Sequence, residues 1–272
     1  RSGVYAFALL RESERMGYGA LTISPKVPGI PGLDNRNKTE RYRRLGEIRS
    51  WLETHSDTPD DMQGNLLYEL GQLLFDLGDY DAALAHWQQV ALPFYQRMGA
   101  EREVAVTQGK IADILQAQGQ LDEALRIRRE EQLPVYERLG NLRERAITQG
   151  KIADILQIRG QLDEALRIRR DEELPVYERL GDVRERATTQ GKIADILQTR
   201  GQLDEALRIR REEQLPVYER LGDVRARAIT QGHIAEILQA RGQLDEVLRI
   251  RREQELPIYE RLGDVRSRAI CQ

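Results

Sequence analysis

Residues 183–223 read VRERATTQGKIADILQTRGQLDEALRIRREEQLPVYERLGD, and residues 142–182 differ from this stretch at only five positions. The same 41-residue unit runs through the second half of the chain. Its markers are a glycine at Gly119, Gly160, Gly201 and Gly242 and a proline at Pro134, Pro175, Pro216 and Pro257. A short unit of this kind can bury its apolar face only against its neighbours, so the repeat predicts a solenoid with an extended working surface.

Each unit is predicted to form two antiparallel helices joined by a tight turn at its first glycine. On the first helix, Ala105, Gly109 and Ala112 share one face, because they lie four and three residues apart. Glycine is unfavourable inside a helix, so its recurrence suggests that backbone packs against backbone there. Alternatively, duplication simply copied it. The predicted repeats are about 60–100, 101–141, 142–182, 183–223 and 224–264, with a partial unit at 265–272.

Pro134 falls inside the predicted second helix. Proline removes one backbone hydrogen bond and its ring crowds the preceding turn. We therefore expect a bend or a helix break at this place in every unit.

Residues 1–59 do not repeat and are predicted to be an N-terminal cap and linker region. The prolines and glycines of residues 24–37 indicate an irregular connector. The sequence Asn-Lys-Thr-Glu at 37–40 has the form of a capping box, which predicts a helix running to about His55. Its apolar residues have helical spacing and are expected to pack over the first repeat: Tyr42, Leu45, Ile48 and Leu52. Repeat one is expected to start at the Thr58-Pro59 pair.

The C-terminal residues 269–272 match residues 228–231, which directly precede the glycine of another unit. We therefore expect the chain to be a piece of a longer protein. A cut at this point would expose the apolar end of the last repeat, which predicts end-to-end self-association through that truncated repeat.

The composition excludes several classes of partner. The formal net charge is −3, and residues 183–223 hold eight basic and eight acidic residues, whereas nucleic-acid binding requires a basic face. The longest early apolar stretch, residues 4–10, is too short to span a bilayer. A single cysteine, Cys271, rules out a disulfide within the chain and favours a cytoplasmic setting. We predict neither nucleic acid nor membrane as a partner.

The first repeat resembles a tetratricopeptide repeat, or TPR. The stretch 67–84 reads LYELGQLLFDLGDYDAAL. The residues that match the family pattern are Leu67, Leu70, Gly71 and Leu74 on the first helix and Tyr80, Ala83 and Trp87 on the second. The resemblance extends by periodicity over residues 60–272. It implies an all-α fold, a right-handed α-solenoid of antiparallel helix pairs.

Later units depart from the family pattern. Ala112 stands in place of the family glycine and Arg128 in place of an aromatic residue, and the unit has 41 residues instead of about 34. Arrays with this longer unit resemble those of kinesin light chains and of the sensor regions of STAND-type signalling proteins. That resemblance implies a docking or sensor role.

The sequence contains little that indicates catalysis. It has no glycine-rich phosphate loop, and the histidines His55, His86 and His233 lie on different predicted elements. No Cys/His cluster has metal-ligand spacing. We predict no enzyme activity, no metal and no cofactor.

Polar residues spaced by three follow the first helices, on the side opposite the apolar packing. TPR arrays line a concave groove with their first helices, so the resemblance implies that this polar row faces a bound peptide. Its members are Lys110, Asp113 and Gln116, then Lys151, Asp154 and Gln157, then Lys192, Asp195 and Gln198, and in altered form His233, Glu236 and Gln239. The corresponding residues of the first repeat, Tyr68, Gln72 and Phe75, complete the row, and two of these are aromatic. Amides and charges of both signs can hold an extended peptide backbone.

Alternative interpretations of these residues exist. The row is either a peptide-binding surface or a merely soluble inner face. Tyr68 and Phe75 are either apolar anchors for a ligand or partners of the cap helix, and His233 is either mildly pH-sensitive or neutral and exposed. The leading hypothesis is a non-catalytic scaffold that binds a protein or peptide segment as the recognition part of a larger signalling protein. The rival hypothesis is a structural module that associates with itself and has no outside ligand.

Overall fold

The computed structural model describes residues 35–55 and 61–271. Within these ranges the chain is helical and contains no strand, which confirms the predicted all-α repeat solenoid. The early apolar stretch, most of the predicted connector and the Thr58-Pro59 start of repeat one lie outside the described residues.

The described chain divides into two compact units, one ending at Val135 and one beginning at Tyr136. The first unit contains α1 (Asn35–Thr54), α2 (Asp61–Asp76), α3 (Tyr80–His86), α4 (Leu92–Arg97), α5 (Glu101–Ala117) and α6 (Leu121–Arg126); α7 (Leu133–Arg138) crosses the division. The second unit contains α8 (Leu142–Ile158), α9 (Leu162–Arg167), α10 (Leu174–Leu180), α11 (Val183–Thr199), α12 (Leu203–Arg208), α13 (Leu215–Arg220), α14 (Val224–Ala240), α15 (Leu244–Arg249), α16 (Leu256–Leu262) and α17 (Val265–Cys271).

Each repeat has a first helix of 16 or 17 residues and a second helix that contains a π-helical turn. In repeat two this turn, Ile127–Gln132, joins α6 to α7, and the Leu133 N–H donates to the carbonyl of Arg128. Pro134 follows directly. The wider π turn accommodates a residue that has no N–H to donate, so the helix changes its hydrogen bonding where we expected a bend or break. The other repeats have the same turn at Trp87–Ala91, Ile168–Glu173, Ile209–Gln214 and Ile250–Glu255.

A left-handed glycine follows each first helix. After α8, Gly160 has φ of 75°, a conformation that other residues rarely adopt. This conformation allows the Gln161 N–H to reach back to the carbonyl of Leu156 at 2.8 Å, which satisfies the end of the helix in a Schellman motif. The chain therefore reverses within three residues and begins the second helix.

The core of each repeat forms where its two helices meet. In repeat four, Ala187 of α11 packs with Val217 and Tyr218 of α13. The equivalent sets in repeats three and five are Ala146, Val176 and Tyr177, and Ala228, Ile258 and Tyr259. The alanine lets the second helix approach closely, and its larger partners supply the buried apolar area.

Helix α1 packs against α2 in the first unit. Leu45, Ile48 and Leu52 are buried, whereas Tyr42 is 37% exposed. The helix begins at Asn35, so the 37–40 sequence lies inside its first turns and does not start it, which corrects the capping-box prediction.

Candidate functional site

The fifteen residues of the polar row lie on the first helices and remain accessible. Thirteen are half-buried, and Glu236 and Gln239 are exposed. The polar groups of the row are not all equally available. Many are already engaged with one another or with buried partners.

In the second unit the row connects neighbouring first helices. Lys192 of α11 donates from Nζ to Oδ1 of Asp154 on α8, at 3.2 Å. Asp154 also accepts from Arg169 at 2.7 Å. The Lys192 side chain stays 44% exposed, so its ammonium retains the capacity to donate to a ligand.

Buried arginines of the π turns hold the aspartates of the row. Arg128 donates to Asp113 at 2.6 Å, and Arg210 donates to Asp195. Arg128, Arg169 and Arg210 are only 2–3% exposed. A buried guanidinium needs an anionic or polar partner, so these aspartates serve first to neutralise the arginines. The spacing of the aspartates does not reveal this role, although the replacement of an aromatic by Arg128 is a signal for it.

The same place in repeat one is apolar. Trp87, 41 residues before Arg128, is buried, and its indole lies so close to Gly71 that no side chain would fit there. Tyr68 packs edge-on against Trp87 with 5.4 Å between ring centroids. In repeat two, Ala112 replaces Gly71 and Gly109 replaces Tyr68. The exchange removes the aromatic pair and makes room for the arginine.

The recurring glycine of the first helix therefore does not pack against backbone, contrary to our prediction. A Cβ at Gly150 would lie 2.7 Å from Oε1 of Glu173, and a Cβ at Gly191 would overlap the amide of Gln214. The glycine faces polar side chains of the second helix. Its missing side chain is what allows these groups to reach the first helix.

Burial affects the ionisation of this polar cluster. Desolvation raises the pKa of Glu173 above its usual value, and the contacts with Arg169 (2.5 Å) and the Thr189 hydroxyl (3.1 Å) offset part of that effect. Desolvation lowers the pKa of Arg210, and Asp195 opposes the shift. Arg169 thus faces two carboxylates, Asp154 and Glu173, whereas the Arg210 cluster has a neutral amide, Gln214, in place of the second.

An open cleft of about 220 Å³ lies in the second unit between α11 and α14, above the π turn of repeat four. It brings together Lys192, Asp195 and His233, three members of the polar row. The other lining residues are Thr188, Gly191, Arg210, Gln214, Tyr218, Ala226, Ile229 and Thr230. Most of its exposed surface is nonpolar, because the ends of Asp195 and Arg210 are occupied by their mutual bond.

In the first unit the row has a more aromatic character. Lys110 donates to Gln72 at 2.8 Å, and its Nζ lies 5.6 Å from the ring centroid of Tyr68. Phe75 packs against Tyr80 with 5.2 Å between centroids. Both aromatic residues of the row thus make ring contacts inside their own helix pair, an arrangement that neither alternative for them included.

The last members of the row lie on α14. His233 contacts Glu236 at 3.2 Å, and Arg251 reaches Gln239 at 3.5 Å.

In residues 35–55 and 61–271, no group of histidine, cysteine, aspartate or glutamate side chains is arranged to hold a metal ion. In the same part of the chain, no helix is both long and apolar enough to cross a membrane.

Comparisons with known proteins identify the repeat type. The family model described as tetratricopeptide repeat matches residues 65–89 and 112–130. No curated protein matches the chain.

Solved structures share the fold at low sequence identity. BtubC (BKLC) from P. vanneervenii has a TM-score of 0.67 and 16% identity, with 84% of this chain and 92% of that chain covered. The nearly identical TPR-like repeats of a putative kinesin light chain from Podosopora anserina have a TM-score of 0.61 and 21% identity, covering 77% and 99%. A Rap protein complexed with Competence and Sporulation Factor has a TM-score of 0.56 and 12% identity, covering 87% and 70%.

Proposed function

We propose that this chain, which is an array of tetratricopeptide-type repeats, is a non-catalytic scaffold that binds an extended peptide segment along the polar row. The observation that supports this most directly is the cleft between α11 and α14, where three residues of the row surround accessible space.

The row offers a defined set of contacts to a peptide. The aspartates are occupied by arginines and are fixed in place, so they act as rigid acceptors at the edge of the groove. Lys192 is partly exposed, and Gln157 and Gln198 are half-buried. An amide donates and accepts at once, which suits pairing with both the N–H and the carbonyl of an extended backbone.

The comparisons are consistent with this proposal. The Rap protein of similar fold is complexed with a factor, and a second Rap structure, with a TM-score of 0.54 and 15% identity, is in complex with the Phr* peptide. At such identities only the fold is shared, so these complexes motivate the proposal without locating a ligand here. A sensor role in a signalling protein and a cytoplasmic setting belong to the same proposal.

A peptide library displayed on phage tests this function without a known partner. The chain is immobilised and challenged with random twelve-residue peptides. We expect specific peptides to be enriched, and we expect the double substitution Lys151→Glu and Lys192→Glu to weaken their binding by about tenfold or more, because two donors become acceptors.

The matched control is Arg170→Glu with Arg211→Glu. It makes the same change of charge at two exposed arginines of the second helices, which pair with Glu205 and Glu246. These arginines lie outside the polar row, so binding should persist. Absence of any enriched peptide, or equal losses in the two double variants, would contradict the proposed function.

A further inference from the structure

Several of the positions at which the near-identical repeats differ from one another border the cleft. Repeats three and four differ at five positions, and two of the five, Thr188 and Gln214, line the cleft; their counterparts in repeat three are Ile147 and Glu173.

Repeat five shows the same concentration on its first helix. Helix α14 differs from α11 at five positions, and three of the five line the cleft: Ala226, Ile229 and His233. The residues at the same places in repeat four are Glu185, Thr188 and Lys192. Both walls of the cleft thus carry residues that differ from those at the same places in the neighbouring repeat.

These differences change the charge of the site. Gln214 and Ala226 stand where the gap between repeats three and four has Glu173 and Glu185, so the cleft lacks two carboxylates. With His233 neutral, Lys192 and Arg210 outweigh Asp195, and the lining carries a charge of +1. The corresponding residues of the preceding gap sum to zero: Lys151, Arg169 and Lys192 against Asp154, Glu173 and Glu185.

Arg210 is the group that this change leaves least neutralised. Its side chain is 3% exposed and bonds to one carboxylate, Asp195, and Glu236 adds a smaller electrostatic contribution. A buried cation with a single bonded carboxylate attracts a further anion. The cleft is thus complementary to a ligand that brings a carboxylate.

Near-identical repeats also create a problem of register. A peptide that contacts only the shared residues finds the same contacts one repeat further along, so it can bind at several places. A site at which one pair of repeats differs from the others removes this degeneracy.

We propose that the cleft between α11 and α14 fixes the register of a bound peptide by accepting one aliphatic side chain that is adjacent to a carboxylate-bearing residue. This inference rests on the proposed peptide-binding function and deepens it. A volume of about 220 Å³ holds a single side chain the size of leucine or isoleucine, and the mostly nonpolar surface between Tyr218 and Ile229 favours an aliphatic one. The positive charge of the lining selects the acidic neighbour.

Two substitutions test the volume and the charge separately. Thr188→Ile narrows the cleft and Ala226→Glu returns a carboxylate to it, and both install residues that the array itself has at the equivalent positions Ile147 and Glu185. The fold should therefore tolerate them. Peptides enriched from the displayed library are expected to share leucine, isoleucine or valine beside aspartate or glutamate. Each substitution should weaken their binding about tenfold or more.

The matched controls are Ile158→Thr and Asp171→Glu. They convert repeat three to the residues of repeat four at two of the five differing positions, both of which lie outside the cleft. Binding should be unchanged in these variants. Enriched peptides that lack the aliphatic–acidic pair, or that bind Thr188→Ile and Ala226→Glu as tightly as the unmodified chain, would overturn this inference while the proposed function stands. Failure to enrich any peptide would overturn both.

Discussion

The Arg169 guanidinium lies 2.7 Å from the Asp154 carboxylate and joins the second helix of repeat three to its first helix. On its other side Arg169 holds Glu173 at 2.5 Å, and both of these residues are almost fully buried. Polar groups in this position determine both the interior of the repeat and the chemistry of its exposed row.

Arg169→Met is expected to destabilise the chain strongly, because Glu173 would remain buried without its cation. Removal of one partner from a buried pair typically costs about 3–5 kcal/mol. Glu173→Gln should change the free energy of unfolding by less than about 1 kcal/mol, since Gln132 and Gln214 occupy the same place in neighbouring repeats. Urea denaturation measures both. Similar losses in the two variants would contradict this account of the cluster.

Two glycines at equivalent positions should respond differently to alanine. In Gly191→Ala the new Cβ overlaps the Gln214 amide, so the buried contact between Gln214 and Arg210 must shift and stability should fall by about 1–3 kcal/mol. In Gly232→Ala the nearest atom is a Glu255 oxygen at 3.6 Å, and the gain in helix propensity should stabilise by up to about 1 kcal/mol. Thermal unfolding monitored by circular dichroism shows whether each variant is more or less stable than the unmodified chain. Equal changes in stability in Gly191→Ala and Gly232→Ala would refute the proposed packing.

His86 should make the chain sensitive to mild acid. Its ring bonds to the carbonyl of Leu67 at 2.7 Å, and burial lowers its pKa to about 4 from the ordinary value of 6.5. The unfolded chain then binds a proton that the folded chain excludes, so stability falls as the pH decreases from about 6.5 to about 4. The loss reaches about 3 kcal/mol.

The comparison for this effect is His86→Gln, which retains a donor for the carbonyl but has no charge to gain. As the pH falls through this range, the unfolding free energy of the unmodified chain should decrease more than that of His86→Gln. The variant should therefore be relatively more stable at low pH. Parallel pH profiles would show that His86 does not contribute.

The N-cap residue of α11, Asp182, is expected to make a second acid-sensitive contribution to stability. Asp182 accepts from the N–H of Glu185 at 3.1 Å and from Arg143 at 2.5 Å, and these bonds lower its pKa. The carboxylate therefore contributes stability above the ordinary pKa of 3.8, and that contribution is lost as the pH falls through the depressed value. Asp182→Ala should cost about 1 kcal/mol at neutral pH.

Asp182→Asn is the informative control, because Asn141 already caps α8 in the same way. Asp182→Asn should keep most of the stabilisation from the capping hydrogen bond, but its stability should no longer depend on protonation at this position. Denaturation at pH 7 and pH 3 separates the two effects, and an alanine variant as stable as the asparagine variant would argue against the cap.

Much of the fold could be predicted because the sequence repeats. Recurring glycines such as Gly160 marked the turns, and the resemblance of residues 67–84 identified the helix pairs. The local details could not be predicted in the same way. A proline after a π turn and a proline at a helix break look alike in sequence, because both depend on how the preceding carbonyls are satisfied.

The candidate site was only partly predictable. The spacing of Lys192, Asp195 and Gln198 indicated a shared helix face, but spacing does not show which side chains are already paired. Arg210 lies on the other helix of the repeat, and its charge suggested exposure. Only the packing of Gly191 against the π turn shows that the arginine reaches the row from within. The cleft itself depends on the small side chains of Thr188 and Ala226, and no sequence motif marks these two residues as lining a cleft.

The most direct test of peptide binding along the polar row is photo-cross-linking of an enriched library peptide, followed by mass spectrometric mapping. With a photoreactive residue next to its aliphatic position, the peptide should label α11 and α14 near Lys192 and His233. Labelling confined to the outer surface of the second helices, near Arg170 and Arg211, would contradict the account.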